Sequence, residues 1–237
     1  MVHLSSIMNS SSPLVSVILP VYNMEKYVAE SIHSVLDQTY NNIEIICIND
    51  GSTDNSLELL KTFGNKIIIV ECAQNGGIGA ARNAGIAVAT GDFLALMDAD
   101  DMWEPAKIET QINQFKRNTH LDISFCYMKC FLSPDLPDEI KAIRHCPPEP
   151  MPGQVSATAM IKTSSFWKVG LFDPKWRVGE FIDWMTKAIE HGLTYEMLPD
   201  AFLLRRIHAT NTGVIERPSR TDYLKIVKAA LDRKRSM

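Results

Sequence analysis

The sequence lacks the apolar segments of a membrane-spanning or secreted protein. Across its 237 residues no apolar run approaches the roughly 20 residues that cross a bilayer. The first 13 residues have neither a cationic start nor an apolar core. We therefore expect a flexible polar arm over 1–13 rather than a signal peptide, and a cytoplasmic protein.

The cysteines lack the spacing of a structural zinc site. There are five of them, none in a Cys-x-x-Cys pair, and most lie in apolar runs. An odd number of cysteines in apolar surroundings favours buried thiols in a reducing compartment.

The chain also lacks an excess of positive charge. A net charge of −4 gives no basic field for a phosphate backbone, so we expect no nucleic-acid partner. The exception is 218–237, which we predict to be a C-terminal helix with a basic end. We favour a solvated helix there, with peripheral contact to anionic lipid at the inner membrane face as the less favoured alternative.

Two common nucleotide-binding motifs are missing. The glycine-rich stretch "NGGIGAARNAG" at 75–85 does not have the spacing G-x-G-x-x-G, and no phosphate-binding P-loop occurs. The turn after the first predicted strand, "PVYNME", contains no glycine. These absences argue against a Rossmann dehydrogenase and a P-loop enzyme. The glycines still allow close backbone approach, and Arg82 on the following helix could reach a phosphate or a carboxylate.

What the sequence does contain is a regular alternation of buried strands and helices. Helical periodicity separates four predicted strands, 14–20, 43–49, 66–71 and 92–97. Such alternation predicts an α/β fold with a mainly parallel central sheet and helices on both faces. We assign 14–217 to a single domain.

The second half of the chain is less regular. It holds a predicted helix at 104–118, a strand at 122–132, a proline-rich connection or flap at 133–153, a helix at 179–192 and two short strands at 194–198 and 201–208. Six of the twelve prolines fall within 133–153, which favours irregular structure there.

The fourth strand runs directly into three carboxylates, Asp98, Asp100 and Asp101. Ligands of α/β sheets bind outside the carboxyl ends of the strands. Because side chains two apart in an extended segment point the same way, Asp98 and Asp100 can face one divalent cation. Oxygen ligands suit magnesium or manganese. The alternative is an acidic turn that caps the next helix, a role that fits Asp101.

Together, these motifs resemble a known family. "VSVILPVYNMEKYVAESIHSVLDQTYNNIEIICINDGSTDNS" followed by "NGGIGAARNAGIAVATGDFLALMDADD" is similar to the nucleotide-binding half of the family 2 glycosyltransferases, over 14–104. The resemblance implies the GT-A fold of nucleotide-diphospho-sugar transferases. It also implies a nucleotide-diphosphate sugar as donor and a divalent metal, manganese or magnesium. The D-x-D element of Asp98, Ala99 and Asp100 would hold the metal and the donor.

The resemblance also implies roles for the earlier strand ends. The turn of Pro20, Val21 and Tyr22 would hold the base and the ribose. Glu25 and Asp50 would add polar contacts to the nucleoside. The alternative for Tyr22 and Glu25 is a role in helix entry and capping.

The acceptor half, 105–217, matches the family pattern less closely. Members usually carry a Glu-Asp pair at the start of a late helix, and the Asp acts as general base. Here Phe181 stands at the position of that Asp. The candidate bases are Glu180 and Asp183, one helical turn apart, and we favour Asp183. Alternatively, both are helix N-terminal carboxylates favoured by the dipole.

A final motif, "LLRRIHATNTG", resembles the late R-x-H-x-x-N stretch of the family. The matching His208 would complete the metal or diphosphate site. Arg205 and Arg206 would offset the diphosphate charge.

The predicted function is therefore inverting, metal-dependent transfer of a sugar to a hydroxyl acceptor, which could be a glycan, a lipid-linked sugar or a peptide. One alternative is a nucleotidyltransferase, although the expected glycine-rich loop after the first strand is missing. Another is a nucleotide-sugar-binding protein that has lost transfer activity at Phe181. The sequence leaves the sugar, the nucleotide, the acceptor and the oligomeric state open.

Overall fold

The structure is a computed structural model that describes residues 12–143, 146–211, 219 and 221–235. Nearly all of the predicted N-terminal arm, 1–13, therefore lies outside the described residues. Among the described helices, none has the length and apolar character required to cross a membrane.

The described residues contain nine strands and eight helices. The strands are β1 (Val15–Val21), β2 (Ile43–Asn49), β3 (Ile68–Glu71), β4 (Phe93–Leu96), β5 (Met102–Trp103), β6 (Ile123–Leu132), β7 (Met151–Gly153), β8 (Met160–Lys162) and β9 (Tyr195–Ile207). The helices are α1 (Val28–Leu36), α2 (Ser56–Thr62), α3 (Ile78–Ile86), α4 (Lys107–Arg117), α5 (Asp138–Ile143), α6 (Thr163–Val169), α7 (Glu180–Glu190) and α8 (Thr221–Arg235).

The first half of the sheet is parallel, as predicted. Its strands lie in the order β3-β2-β1-β4, and each neighbouring pair runs parallel. Strand β1 is buried on both faces because Val17 and Leu19 pack into one apolar core while Ile18 packs into the other. This explains why its sequence is continuously apolar rather than alternating.

The second half makes the sheet mixed. Strand β8 runs antiparallel to β4 and β6, whereas β9 runs parallel to β6 and antiparallel to β5. The prediction of two short strands at 194–198 and 201–208 is wrong, because β9 is one continuous strand. The pairing to β6 skips Pro199 and Asp200 and then Phe202, so the register shifts twice. Such a bulge resembles a strand break in the sequence pattern.

The proline-rich connection at 133–153 contains two short elements. Helix α5 occupies its first part, and β7 pairs antiparallel with β6 at its end. Residues 144 and 145 lie outside the described part. At its start, the backbone N–H of Ser133 donates to the carbonyl oxygen of Ile207 on β9 at 2.9 Å, so the segment is held to the sheet at both ends.

Helix α3 lies unusually close to the sheet at Gly85. A Cβ atom built on Gly85 would lie 2.5 Å from Cδ1 of Ile48 on β2, which is too close for any real Cβ contact. The small residue therefore allows α3 to lie directly against β2. One turn earlier, the same helix carries Arg82, whose side chain is completely buried.

A second fully buried cation lies at the start of α4. The ammonium group of Lys107 donates to Gln111 Oε1 at 2.9 Å and lies 3.8 Å from the centroid of the Trp103 ring. Burial lowers the pKa of Lys107 to about 8, because the charged form is poorly solvated there.

Candidate active site

A cavity of about 450 Å³ opens where β1, β2 and β4 end. Most of the predicted donor-binding residues line it: Pro20, Val21, Tyr22, Asp50, Asp98, Ala99 and Asp100. This is the edge of the sheet at which the sequence pattern placed a ligand, since the carboxyl ends of parallel strands meet there.

The D-x-D turn is held by neighbouring elements rather than by its own backbone alone. Ser31 of α1 places its hydroxyl 2.9 Å from the carbonyl oxygen of Ala99 and 2.6 Å from that of Asp101. Oδ1 of Asp98 accepts a hydrogen bond from Arg82 at 2.7 Å. The turn is therefore fixed from both faces of the sheet.

Asp100 and His208 form the second anchor of the turn. Nε2 of His208 lies 2.8 Å from Oδ2 of Asp100, and Asn211 donates to the same oxygen at 3.2 Å. The His208 ring is 1% exposed and lies 4.6 Å from the Tyr27 ring. The sequence motif at the end of β9 is thus brought to the D-x-D turn, as predicted.

Asp101 does not cap the next helix. Helix α4 begins only at Lys107, and the Asp101 carboxylate instead accepts the backbone N–H of Arg206 at 2.9 Å. Asp101 therefore ties the turn after β4 to β9.

Negative charge accumulates in the turn. Burial raises the pKa of Asp98, and the nearby charges of Asp100 and Glu180 raise it further, against the effect of Arg82. Burial likewise raises the pKa of Asp101 well above its usual value, assisted by the two neighbouring carboxylates. A bound cation would relieve this repulsion.

The side chains at the D-x-D turn suit a divalent cation that is also coordinated by a bound ligand. In the described ranges no three His, Cys, Asp or Glu side chains converge into a complete metal site. However, Asp98 and Asp100 both line the cavity, and His208 contacts Asp100. Two carboxylates beside an imidazole suit manganese or magnesium, with positions left for phosphate oxygens.

Arg205 and Arg206 point in opposite directions from β9. Arg205 lines the cavity. The Arg206 side chain is 3% exposed, lies between the rings of Tyr27 and Phe131 at 4.9 and 4.8 Å, and pairs with Glu30. The prediction that Arg206 lines the donor site is therefore wrong, because strand alternation turns it into the core.

Comparison with known proteins assigns the family. The family model described as "Glycosyl transferase family 2" matches residues 16–170. The chain belongs to glycosyl transferase family 2. The match covers both the D-x-D turn and the strand ends that form the cavity.

Relatives of this family 2 chain are often longer proteins. A glycosyltransferase of Rickettsia prowazekii, described as uncharacterized, is 34% identical over 225 residues, which cover 86% of this chain and 67% of the relative. Glycosyltransferase GlyG of Streptococcus pneumoniae is 42% identical over 106 residues, 44% of this chain and 35% of that protein. The chain thus spans between about a third and two thirds of the length of these relatives.

A solved structure confirms the GT-A fold expected for family 2. S. aureus TarS (residues 1–349, in complex with UDP-GlcNAc) matches with a TM-score of 0.67 at 23% identity. The match covers 84% of this chain and 60% of that one.

The two predicted bases of the family 2 site lie in different surroundings. The buried Glu180 carboxylate pairs with Arg82, and Arg82 bridges it to Asp98 and to Ser156 Oγ at 2.8 Å. Glu180 is therefore connected to the D-x-D turn through the side chain of Arg82. Phe181, between the two candidates, packs in the core against Phe125 and Trp184.

Asp183 faces away from the D-x-D turn, toward α8. Its carboxylate lies 2.6 Å from the ammonium group of Lys187 and 3.7 Å from the guanidinium of Arg233 on α8. Neither Asp183 nor Glu180 lines the cavity, but only Glu180 is connected to it. The geometry therefore does not support our prediction that Asp183 is the favoured base.

Glu25 and Asp50 have structural partners that the sequence pattern did not reveal. Oε2 of Glu25 accepts the backbone N–H of Asn55 at 2.9 Å at the start of α2, and Glu25 does not line the main cavity. The capping alternative therefore describes its observed contact. Asp50 lines the cavity and accepts the backbone N–H groups of Gly76 and Gly77 at 2.9 and 3.0 Å.

Several cavity residues were not predicted from the sequence, among them Asn23, Asn75 and Arg177. Asn23 has a positive φ of 53°, and its side chain accepts the backbone N–H of Thr53 at 2.8 Å. An Asn directly after a buried strand was the available signal, because Asn tolerates left-handed backbone well. No sequence pattern pointed to Arg177, which precedes α7.

Proposed function

We propose that the protein is an inverting, metal-dependent glycosyltransferase that moves a sugar from a nucleotide-diphosphate sugar to a hydroxyl acceptor. The observation that carries the proposal is the shared cavity of the Pro20–Tyr22 turn, Asp50 and the D-x-D turn. Its family and its fold support the same reaction class. The complex of S. aureus TarS with UDP-GlcNAc supports a nucleotide-sugar donor, because that protein has the same fold.

The cavity offers distinct surfaces for the parts of such a donor. The Tyr22 ring is 43% exposed at the cavity and can pack beside a base. The carboxylate of Asp50 is held in place by two glycine amides and can accept from a base N–H or a ribose hydroxyl. Arg205 can donate to the diphosphate oxygens.

Asp98 and Asp100, with His208 beside them, would hold the divalent cation. When bound, manganese or magnesium supplies positive charge to the leaving diphosphate. The protein groups contribute the rest: Arg82 fixes the orientation of Asp98, and His208 and Asn211 fix Asp100. A carboxylate turn that is held in place before the donor arrives needs little reorganisation during the reaction.

Of the two predicted bases, we infer that Glu180 takes the proton from the acceptor hydroxyl. A general base must come within about 3 Å of that hydroxyl or reach it through one water. Neither carboxylate lines the cavity, so the base has to turn toward the bound acceptor. Glu180 starts nearer to it, because Arg82 joins it to Asp98 at the cavity, whereas Asp183 is directed toward α8. Attack from the side opposite the nucleotide inverts the anomeric carbon in one displacement.

A thermal-shift screen followed by a turnover assay tests this proposal. We expect uridine or guanosine diphosphate, or the matching nucleotide sugar, to raise the melting temperature in the presence of manganese. Release of nucleoside diphosphate from the stabilising sugar nucleotide should follow, with or without an added acceptor. An Asp98→Asn/Asp100→Asn variant serves as the control without a metal site.

The alternatives give different results. Stabilisation by a nucleotide sugar without any turnover would indicate a binding protein that has lost transfer. Pyrophosphate release from a nucleoside triphosphate and a sugar phosphate would indicate a nucleotidyltransferase. No stabilisation by any nucleoside diphosphate with manganese would contradict the proposed donor site.

A further inference from the structure

Exposed apolar side chains concentrate on one group of helices. Helix α6 packs on α7, and α7 packs on α8. Eight of the twelve large apolar side chains that are exposed in the described part lie on these helices or directly after α6: Trp167, Leu171, Ile182, Ile189, Tyr223, Leu224, Val227 and Leu231. Half of this set belongs to α8 alone.

Helix α8 is held on the domain in one orientation. Ile226 is completely buried, and a Cβ atom on Gly179 would lie 2.9 Å from its Cδ1 atom. Arg233 donates to Glu190 at 2.8 Å and to Thr186 Oγ1 at 3.0 Å, both on α7. These contacts fix which face of α8 points outward.

The outward face carries an aliphatic row. Leu224, Val227 and Leu231 are 74%, 55% and 51% exposed, and spacings of three and four place them side by side on a helix. At about 100° per residue, Lys228 and Arg235 lie on one flank of this row and Lys234 on the other. Apolar residues in the centre with long basic side chains on both flanks are typical of a helix that lies in a membrane interface.

The charge of α8 is opposite to that of the whole chain. The helix has five basic and two acidic residues, a net charge of +3, whereas the chain carries −4. Of the acidic residues, Asp222 is buried, whereas Asp232 is exposed and lies about 40° beyond Lys228. Three basic residues and one acidic residue thus surround the row. Positive charge is therefore concentrated around the outward aliphatic row.

We propose that the outward face of α8 docks the protein onto an anionic lipid bilayer. The three aliphatic side chains enter the interface, while Lys228, Lys234 and Arg235 reach the headgroups. A second copy of the chain is a poorer occupant, because two such faces would bring like charges together. This docking does not depend on the transfer reaction.

Vesicle flotation measures the proposed contact. We expect binding to vesicles of phosphatidylglycerol and phosphatidylcholine, weakening as salt increases, and little binding to phosphatidylcholine alone. Because each basic residue near an anionic surface contributes about 1 kcal/mol, or about fivefold in affinity, Lys228→Glu/Lys234→Glu/Arg235→Glu should weaken binding by 100-fold or more. Leu224→Ser/Leu231→Ser should also weaken it by at least tenfold.

Val88→Ser is the matched control. Val88 is 45% exposed, follows α3 and lies on none of these helices, so its substitution should leave vesicle binding unchanged. The charge variant replaces only exposed side chains, and an unchanged melting temperature would show that it is folded. Three results would overturn the proposal: equal binding to neutral vesicles, undiminished binding by the folded charge variant, or a dimer in light scattering that the Leu224→Ser/Leu231→Ser variant abolishes.

Discussion

Substitution of Arg205 and of Arg206 should separate donor binding from stability. The two residues are adjacent on β9 and chemically identical, yet only Arg205 reaches the cavity. Within the described part of the chain, the Arg205 guanidinium has no ion-pair or hydrogen-bond partner, whereas Arg206 is buried among several. Each residue is therefore the control for the other.

The expected loss of stability in Arg206→Gln follows from its contacts. The guanidinium lies over two rings, at 4.9 and 4.8 Å, which contributes about 1 to 2 kcal/mol. Its Nε donates to the carbonyl oxygen of Asp100 at 3.0 Å, and leaving such a group unpaired costs about 1 to 3 kcal/mol. The pair with Glu30 adds little, because Glu30 is 58% exposed. We expect a loss of about 2 to 4 kcal/mol and a melting temperature lower by roughly 5 to 15 °C.

Arg205→Gln should behave in the opposite way. Arg205 is exposed and makes no hydrogen bond or ion pair with the residues that the structure describes. Its substitution should therefore change the free energy of unfolding by about 0.5 kcal/mol or less. Loss of a charge-assisted hydrogen bond to a diphosphate should weaken nucleoside diphosphate binding by about 10- to 100-fold. Chemical denaturation measures the first quantity, and calorimetric titration in manganese at low temperature measures the second.

The two variants can refute this reasoning directly. Arg205→Gln that destabilises the fold as much as Arg206→Gln would show that strand alternation does not separate their roles. Full affinity for nucleoside diphosphate in Arg205→Gln would remove Arg205 from the donor site.

Three other predictions follow from the site and the core. Replacing Asp98 and Asp100 by Ala should abolish the manganese-dependent part of the thermal shift, and an unchanged shift would contradict the metal assignment. Glu180→Gln should lower turnover by roughly 10² to 10⁴ with donor affinity nearly unchanged. Asp183→Asn should mainly lower the free energy of unfolding, by about 1 to 3 kcal/mol. The reverse pattern in steady-state kinetics would show that Asp183 is the base. The pKa of Lys107 is lowered to about 8 in the native protein. The unfolded chain therefore binds more protons than the native one between about pH 8 and 10.5. The free energy of unfolding should consequently rise with pH in that window. Lys107→Met should remove this rise; a denaturation series that shows the same pH slope in both proteins would contradict the argument.

The sequence predicted those parts of the fold that depend on local pattern. Continuous apolar runs such as Val15–Val21 identified strands buried on both faces, and the polar residues directly after them marked the edge at which the cavity opens. The D-x-D turn and His208 were expected at one site, and the structure brings them within hydrogen-bond distance.

Apart from the division of β9, the predictions that the structure does not support concern the directions of side chains. Whether Arg205 or Arg206 faces the cavity depends on the register of β9, which shifts at Pro199 and Asp200 and again at Phe202. The surroundings of Asp183 depend on where α8 packs, about 40 residues later in the chain. Glu25 accepts a hydrogen bond at the start of α2, an element that is about 30 residues away in the sequence but adjacent in space. Local periodicity contains none of this tertiary information.

Because α3 contacts β2 closely at Gly85, the positions of the charged groups in the site depend on a residue that has no side chain. A methyl group at Gly85 would have to displace Ile48 or the helix itself, and Arg82 lies on the same helix one turn away. Moving that guanidinium would leave Asp98 and Glu180 without their shared partner. In a genetic screen, a substitution at Gly85 would therefore resemble an active-site lesion, although the residue itself touches no ligand. The packing at Gly85 therefore helps to position the guanidinium that neutralises two carboxylates of the candidate site.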